Sequence, residues 1–365
     1  MTITHPHGVG APGATVPLPE VAPDHERVLI TRGPRSGLAI IVAVHSTRLG
    51  QALGGARLWR YAHWTDALAD ALRLSEAMTL KNAAAGLARG GGKAVVCIPP
   101  DEELDDARTR DAMLDLGDAV ESLGGAYMTA EDVGTSAELM AVVAERTAHV
   151  CGLPPEQGGV GEPADATAAG VYAGLEATLG HVFGDRSVRG RHIVVAGLGQ
   201  VGGRLARRLA AEGARLSVTD VAEHGRRLAD ELGAEWVAPE AAHLVPADVF
   251  VPCGLGGVLT ADAVRAMHVR AVVGAANNQL AERDVAELLR RRGIAWAPDF
   301  VVNAGGVIHL DVASRDGVGA AELAHRVAGI GDTVARVLRE ADATGTTTLE
   351  AAERLAAVRL DAAGS

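Results

Sequence analysis

Hydrophobic residues follow two different spacings along the chain, and together these spacings predict an α/β fold. Residues 37–46 (GLAIIVAVHS) form a short apolar run between turn residues, which is typical of a buried strand. Residues 65–80 repeat apolar side chains at helical spacing, and helices are also predicted at 104–122 and 136–146. Between them, residues 86–98 (GLARGGGKAVVCI) predict a glycine loop that leads into a strand.

The second half of the chain alternates short apolar strands with helices more regularly. Strands are predicted at 192–196, 215–219, 248–252, 271–273 and 294–296, and a closing helix at 348–360. This rhythm is typical of a parallel sheet that helices cover on both faces.

The segment from Gly152 to Pro163 is rich in Gly, Pro and Glu and is the predicted linker. We therefore predict two α/β domains, residues 1–150 and residues 151–344. The final segment, 345–365, is expected to return to the first domain.

Composition and charge exclude several classes of protein. With 48% hydrophobic residues among 365, the chain is not generally disordered. A formal net charge of −12 is a poor match for nucleic acid or an anionic membrane. No apolar run reaches the ~20 residues that a membrane span requires. Three cysteines without metal-ligand spacing predict neither a disulfide framework nor a metal site, and they favour the reducing cytoplasm.

A phosphate-binding motif directly follows the first strand of the second half. Gly197, Gly199 and Gly202 form G-x-G-x-x-G between the strand HIVVA and a helix, which is the context that this motif requires. Gly197 permits a tight turn, Gly199 lets a pyrophosphate approach the backbone, and Gly202 lets helix and strand pack closely. Asp220 ends the next strand, where a carboxylate accepts hydrogen bonds from an adenosine ribose. Asp220 favours NAD, although two arginines follow it and leave NADP open.

Two lysines and one acid in the first half are candidates for chemistry. Lys81 follows a predicted helix, and Lys93 ends a run of three glycines. A lysine on a tight glycine bend is held near backbone, where burial lowers its pKa toward the range useful for acid–base catalysis. The alternative is an ordinary surface turn. Asp132 is the candidate acid, and its alternative role is to cap the following helix, as Glu131 also could.

Seven motifs in order make the chain resemble the leucine/phenylalanine/valine dehydrogenase branch of the amino-acid dehydrogenases, the relatives of glutamate dehydrogenase. They are LGGARLW (53–59), KNAAAGL (81–87), GGGKAV (90–95), AEDVGT (130–135), GLGQVG (197–202), AANNQL (275–280) and APDFVVNAGGVIH (297–309). The resemblance implies an N-terminal substrate and oligomerisation domain and a Rossmann-type NAD domain. It also implies reversible oxidative deamination of an L-amino acid to a 2-oxo acid and ammonia, by a homo-oligomer that is a dimer or an octamer.

The resemblance implies a role for individual residues. Lys93 is the catalytic lysine that activates water and stabilises the developing oxyanion, and Asp132 handles the proton on the amino nitrogen. Lys81 pairs with the substrate carboxylate, with Gly55 and Asn278 at the same end. The substrate side chain is expected to contact Leu53, Ala130, Val307 and Leu310. Besides the three glycines and Asp220, the cofactor is expected to contact Arg57, Thr167, Gln200, Val201, Cys253, Ala276 and Asn277.

The resemblance also bears on which amino acid is accepted. In glutamate dehydrogenases, the positions of Leu53 and Leu310 carry a lysine and a serine that hold the γ-carboxylate. Both residues are apolar here, and burying an unpaired carboxylate costs several kcal/mol, so glutamate is expected to be rejected. One methylene discriminates by only ~1–3 kcal/mol, so valine, leucine and phenylalanine all stay open.

Two segments depart from the family pattern. Relatives have Ser-Pro or Ser-Ser before the position of Thr167, whereas this chain has EPADA (162–166), and residues 311–319 also differ. The altered Ala164-Asp165 favours one alternative, an NAD-binding sensor with the same fold. A second alternative is a dehydrogenase of another class, such as one for 2-hydroxy acids, but its usual His–carboxylate pair has no matching motif here. Cys253, expected at the cofactor, can alternatively be a small residue of the core.

Overall fold

Five strands of the first half form one mixed sheet in this computed structural model, which describes residues 24–157, 163–314 and 319–363. The strands are β1 (Arg27–Arg32), β2 (Ala39–Ser46), β3 (Ala52–Arg60), β4 (Gly90–Ile98) and β5 (Tyr127–Glu131). Their order in the sheet is β1-β2-β4-β3-β5. Strand β3 runs parallel to both of its neighbours, β4 and β5, and it therefore lies at the centre of the parallel part.

Three helices pack on this sheet, namely α1 (Trp64–Ala84), α2 (Asp106–Glu121) and α3 (Ala137–Ala144). Strand β2 is apolar on both faces, because Ile40 and Val42 pack with Met113 of α2 while Ile41 packs with Leu68 of α1. This double burial explains why its sequence is a continuous apolar run instead of an alternating one.

The second sheet is entirely parallel and carries the remaining strands. They are β6 (His192–Ala196), β7 (Arg215–Thr219), β8 (Glu235–Trp236), β9 (Val249–Pro252), β10 (Ala271–Val272) and β11 (Ala295–Trp296), in the order β11-β10-β9-β6-β7-β8. When the strands are numbered from β6, this is the 3-2-1-4-5-6 order of dinucleotide-binding folds. All strands are parallel, but the succession of strands across the sheet changes direction between β6 and β9. The predicted Rossmann-type sheet is thus confirmed.

The helices of the second half are nine in the described residues. They are α4 (Pro163–Phe183), α5 (Gln200–Ala211), α6 (Glu223–Leu232), α7 (Ala261–Ala266), α8 (Val285–Arg291), α9 (Asp299–Val302), α10 (Gly305–Ala313), α11 (Ala320–Thr344) and α12 (Thr348–Ala362). Within the same described residues, no helix combines the length and the apolar character that crossing a bilayer requires.

The chain divides into two compact units, and the division differs from the predicted domains. The short segment Leu80–Leu87, at the end of α1, belongs to the second unit, as does α12. Arg359 of α12 donates hydrogen bonds to the carbonyl oxygens of Ala83 (2.7 Å) and Ala84 (2.6 Å). Segment 345–365 is thus grouped with the second unit and contacts the end of α1, where Arg359 satisfies the last carbonyl groups, and its return to the first domain stays a prediction.

Candidate active site

Three neighbouring strands bring Arg57, Lys93 and Asp132 together in the first unit. Arg57 lies in β3 and Lys93 in β4, and Asp132 directly follows β5. The Nζ atom of Lys93 lies 2.8 Å from Oδ2 of Asp132, and Nε of Arg57 lies 3.1 Å from the same oxygen. The parallel register of these strands thus unites three side chains that are distant in sequence.

The Lys93–Asp132 pair is buried, and burial decides its electrostatics. Lys93 is only 4% exposed. Burial lowers the pKa of Lys93, and this outweighs the opposite effect of Asp132. Burial would raise the pKa of Asp132, but the nearby charges of Lys93 and Arg57 hold it below its usual value. The pair therefore combines an ionised carboxylate with an amine that releases its proton more readily than a lysine in water.

The three glycines before Lys93 allow close packing within the sheet, and their placement corrects one prediction. Gly90, Gly91 and Gly92 are the first residues of β4 and do not form a loop. A Cβ atom at Gly91 would collide with Thr79, and one at Gly92 would lie 2.5 Å from the Tyr127 ring. The glycines are required for close packing inside a sheet, so Lys93 projects from a rigid strand and the surface-turn alternative is wrong.

Gly55 of β3 provides the corresponding space for Asp132. A Cβ atom at Gly55 would lie 2.7 Å from both Cβ of Asp132 and the carbonyl oxygen of Glu131. The predicted substrate contact thus has a structural reason to be glycine as well.

The capping alternative for Asp132 and Glu131 is also wrong. Ser136 caps α3, because its side chain accepts a hydrogen bond from the Leu139 backbone. The Asp132 backbone N–H instead donates to Oγ1 of Thr135 at 2.8 Å, and Thr135 donates to the carbonyl oxygen of Ala56 at 2.9 Å. These bonds fix the turn after β5 and leave the Asp132 carboxylate facing Lys93.

Arg57 has partners that the sequence did not indicate. Its Nη1 donates to Oδ2 of Asp70 in α1 at 2.7 Å, while its Nε bonds Asp132. The Tyr61 hydroxyl donates to the same Asp70 oxygen at 2.7 Å, and Arg73 binds the other oxygen at 2.6 Å. Asp70 precedes Arg73 by three residues, which in a sequence looks like a common surface pair on a helix. The role of Arg57 at the cofactor stays a prediction.

Leu53 and Ala130, the predicted side-chain contacts of the first unit, lie on adjacent strands. Leu53 is in β3 and Ala130 is in β5, where Ala130 pairs with Gly55. Both residues are fully buried and apolar.

In the second unit, the glycine motif forms the turn between β6 and α5. Gly197 has φ +104°, and a Cβ atom there would lie 2.7 Å from the Gly254 backbone. A Cβ atom at Gly202 would collide with the Gly197 carbonyl oxygen. Gly199 is the N-cap residue of α5, and a Cβ atom there would meet nothing within 4 Å. The open helix N-terminus, continued by Gln200 and Val201, therefore fits the diphosphate of a dinucleotide.

Asp220 follows β7 and binds the backbone of this turn. Its Oδ2 accepts a hydrogen bond from the Leu198 N–H at 2.6 Å, and its Oδ1 accepts one from the Ala222 N–H at 2.7 Å. Asp220 thus organises the glycine turn. Its predicted contact with a ribose uses lone pairs that these two bonds leave available.

Four further predicted cofactor residues occupy defined places in the second unit. The Thr167 hydroxyl donates to the Pro163 carbonyl oxygen at 2.9 Å in the first turn of α4. Cys253 follows β9, and burial raises the pKa of its thiol to about 11, which makes it an unreactive small residue. After β10, the backbone N–H of Ala276 donates to Pro252, and the side chain of Asn277 accepts a 2.8 Å hydrogen bond from Asn303. Asn303 was not predicted.

A buried acid lies near the loop that carries Asn278. Asn278 has φ +51° and is the single non-glycine residue with positive φ among the described residues. Asp299 is 9% exposed, and burial raises the pKa of its carboxyl group against the opposing effects of the Asn278 and Gln279 backbone and of Lys81. Asp299 lies in the motif APDF, but the sequence did not indicate it as a site residue, because only the folded structure shows that its carboxyl group is buried.

Helix α10 carries the other two predicted side-chain contacts, Val307 and Leu310. Next to them, Asp311 is fully buried, and its Oδ2 lies 2.9 Å from Nη1 of Arg326 in α11. Asp311 of this ion pair belongs to segment 311–319, which departs from the family pattern. Residues 315–318 of that segment lie outside the described residues.

The other departure places a new carboxylate beside the phosphate-binding motif. Oδ1 of Asp165 lies 2.6 Å from Nε of Arg204, and Arg204 also donates to the Gln200 carbonyl oxygen at 2.8 Å. The added negative charge is therefore paired with a cation of α5. Glu162 lies outside the described residues.

Two models of protein families match this chain. Residues 25–149 match "Glu/Leu/Phe/Val dehydrogenase, dimerisation domain", and residues 217–363 match "Glutamate/Leucine/Phenylalanine/Valine dehydrogenase".

Individual proteins are similar over nearly the whole chain. Leucine dehydrogenase of Thermoactinomyces intermedius is 40% identical over 339 residues, covering 93% of this chain and 91% of that protein. Valine dehydrogenase of Streptomyces albus is 40% identical over 340 residues, covering 92% of both. Among solved structures, L-tryptophan dehydrogenase from Nostoc punctiforme matches with a TM-score of 0.80 and 32% identity, covering 93% of this chain and 97% of that one.

Proposed function

The chain belongs to the glutamate/leucine/phenylalanine/valine dehydrogenase family, and we propose that it catalyses the reversible oxidative deamination of an apolar L-amino acid with NAD. The products are the 2-oxo acid, ammonia and NADH. The observation that carries the proposal is the buried Lys93–Asp132 pair, whose Nζ–Oδ2 distance is 2.8 Å. A neutral amine and a carboxylate at this separation supply both proton-transfer groups that the reaction requires.

Bound NAD supplies the hydride acceptor, and the side chains of the first unit move the protons. Asp132 takes a proton from the substrate ammonium before hydride transfer and returns it to the amino nitrogen as ammonia leaves. Neutral Lys93 removes a proton from water as the water attacks the iminium carbon. The resulting ammonium then stabilises the oxygen that develops negative charge.

The lysine content of the chain supports these assignments. Lys81 and Lys93 are the only lysines, and the other positions among the 34 basic residues are all arginine. Arginine stays protonated in proteins and so cannot act as the base assigned to Lys93. From the family resemblance, we assign Lys81 to the substrate carboxylate, with Gly55 and Asn278 at that end.

The residues assigned to the substrate side chain favour apolar amino acids. Leu53, Ala130, Val307 and Leu310 offer no charge or hydrogen-bond donor to a carboxylate. A glutamate side chain would lose its hydration without gaining a partner, which costs several kcal/mol. Glutamate should therefore be a poor substrate.

We assign the cofactor to the turn at Gly197, Gly199 and Gly202, with Asp220 at the ribose. The carboxylate of Asp220 would repel a 2′-phosphate, and this favours NAD over NADP. Because residues 25–149 match a dimerisation domain, we also propose a homo-oligomer, either a dimer or an octamer. Cytoplasmic location stays a prediction from the cysteine content.

A substrate panel tests the function. The purified protein is assayed for NADH formation with L-valine, L-leucine, L-isoleucine, L-phenylalanine, L-tryptophan and L-glutamate. We expect activity with at least one apolar amino acid and at least roughly tenfold lower kcat/KM with glutamate, as a missing charge partner requires. Tight NAD binding without turnover of any apolar amino acid would instead support the sensor, which the intact Lys93–Asp132 pair disfavours.

A further inference from the structure

The cluster around Lys93 and Asp132 continues outward as a chain of alternating charges. Lys93 contacts Asp132, Asp132 contacts Arg57, and Arg57 contacts Asp70. The chain ends at Arg73, whose Nη2 lies 2.6 Å from Oδ1 of Asp70. Each charge lies next to one of opposite sign, so a change at the outer end reaches the inner end.

Asp70 is held more firmly than a surface carboxylate. Its side chain is 15% exposed. Oδ2 accepts from both Arg57 and Tyr61 at 2.7 Å, and Oδ1 accepts from Arg73. The hydrogen bonds from Tyr61 and Arg73 and the charge of Arg57 outweigh burial and keep the pKa of Asp70 below its usual value. Asp70 therefore stays ionised and gives Arg57 a fixed anchor on α1.

Arg57 cannot serve Asp132 equally well without this anchor. Its guanidinium is planar and bonds Asp132 through Nε and Asp70 through Nη1, so the two contacts together define its plane. An arginine with a single partner keeps several rotatable bonds free. Asp70 thus fixes the direction from which Arg57 approaches Asp132.

We propose that Asp70 is a positioning residue for the Lys93–Asp132 pair, acting through Arg57, with Tyr61 fixing the Asp70 carboxylate. The inference rests on the proposed function, because it assigns Asp70 to the same reaction. Asp70 itself is not assigned to contact substrate or cofactor.

The charged and titratable groups that face this cluster give the sign of the expected pH effect. They are Arg57 in β3, Tyr61 directly after β3, Lys93 in β4, Tyr127 in β5, Asp132 directly after β5, and Asp70 and Arg73 in α1. For Lys93, the charge of Asp70 raises the pKa and that of Arg57 lowers it. Removing the charge of Asp70 while keeping its shape takes away one of the charges that raise the pKa of Lys93 and keeps that of Arg57, which lowers it, so Lys93 should lose its proton at lower pH.

The test uses Asp70→Asn, which keeps an oxygen that accepts from Arg57, and Glu76→Gln as the matched control. Glu76 is an exposed carboxylate on the same helix, outside the charge chain. We expect the acid limb of the kcat/KM profile for deamination to move to lower pH in Asp70→Asn and to stay in place in Glu76→Gln. Asp70→Ala, which also removes the anchor, should lower kcat by roughly 10–100-fold, as a misplaced catalytic group does.

The outcomes separate this inference from the proposed function. If Asp70→Asn and Asp70→Ala keep the wild-type profile and kcat while Lys93→Met is inactive, Asp70 is structural and the function stands. If Lys93→Met retains activity, the assigned chemistry fails and the inference fails with it. Should both Asp70 variants not fold, Tyr61→Phe removes a single hydroxyl from Asp70. It should lower kcat with little change in the KM for amino acid, and a wild-type kcat would overturn the inference.

Discussion

Replacing Lys93 by methionine removes the ammonium and keeps most of the side-chain volume that β4 buries. The reaction then lacks both the base for water and the cation for the oxyanion. General-base catalysis contributes roughly 10²–10⁴-fold, and one oxyanion-stabilising group contributes roughly 10²–10³-fold. Because one side chain supplies both effects, they do not simply multiply, and we expect kcat/KM to fall by roughly 10⁴-fold.

The same substitution should reduce stability by less than the loss of a fully buried ion pair. Breaking a fully buried pair costs about 3–5 kcal/mol. The Asp132 side chain is 25% exposed and keeps Arg57 at 3.1 Å, so part of its charge stays compensated. We expect the free energy of unfolding to fall by about 1–3 kcal/mol, within the usual range for a single substitution.

Three measurements on Lys93→Met check this reasoning. NADH formation gives kcat/KM, quenching of protein fluorescence gives NAD affinity, and urea titration gives the free energy of unfolding. NAD affinity should stay near the wild-type value, because the glycine motif lies in the other unit. Lys93→Arg is the matched control, which keeps the charge but cannot act as a base. A Lys93→Met or Lys93→Arg enzyme within roughly tenfold of wild-type kcat/KM would refute the assigned role. Loss of NAD affinity equal to the loss of activity would also refute it.

Three further predictions follow from the same geometry. The kcat/KM for deamination should rise with pH and reach half of its plateau below pH 10.5, because burial lowers the pKa of Lys93 from that ordinary value; a midpoint at or above it contradicts the base role. Gly55→Ala places a Cβ atom 2.7 Å from Cβ of Asp132, so kcat should fall by roughly 10–100-fold. Circular dichroism should show an intact fold, and a wild-type kcat would show that Asp132 can move freely. Asp220→Ala should weaken NAD by roughly tenfold and shift the NAD/NADP preference toward NADP. An unchanged preference would count against the ribose contact, and unchanged affinity for both would count against its hold on the glycine turn.

Some disagreement between sequence and structure comes from residues that serve two purposes. Asp220 was predicted from its position after β7, but its bonds to the Leu198 and Ala222 backbone depend on how the turn folds back on the strand. Arg57 was assigned to the cofactor by resemblance, and its two carboxylate partners could not be inferred because Asp70 lies on α1 and Asp132 follows β5, and only the folded unit brings both to Arg57. Strand β1 was missed because it is a partly exposed edge strand with charged residues at both ends.

The sequence alone determined that the second half forms a parallel sheet, with five of its six strands, the glycine turn at its first strand and the identity of both lysines. Each of these follows from local signals, because strand periodicity, turn glycines and a scarce residue type can be read within a few positions. The tertiary structure decided that the three glycines before Lys93 lie inside a strand, that Lys93 is buried against Asp132, and that Asp70 reaches them through Arg57. These facts depend on which strands become neighbours in the sheet, and burial and charge pairing exist only after that choice is made.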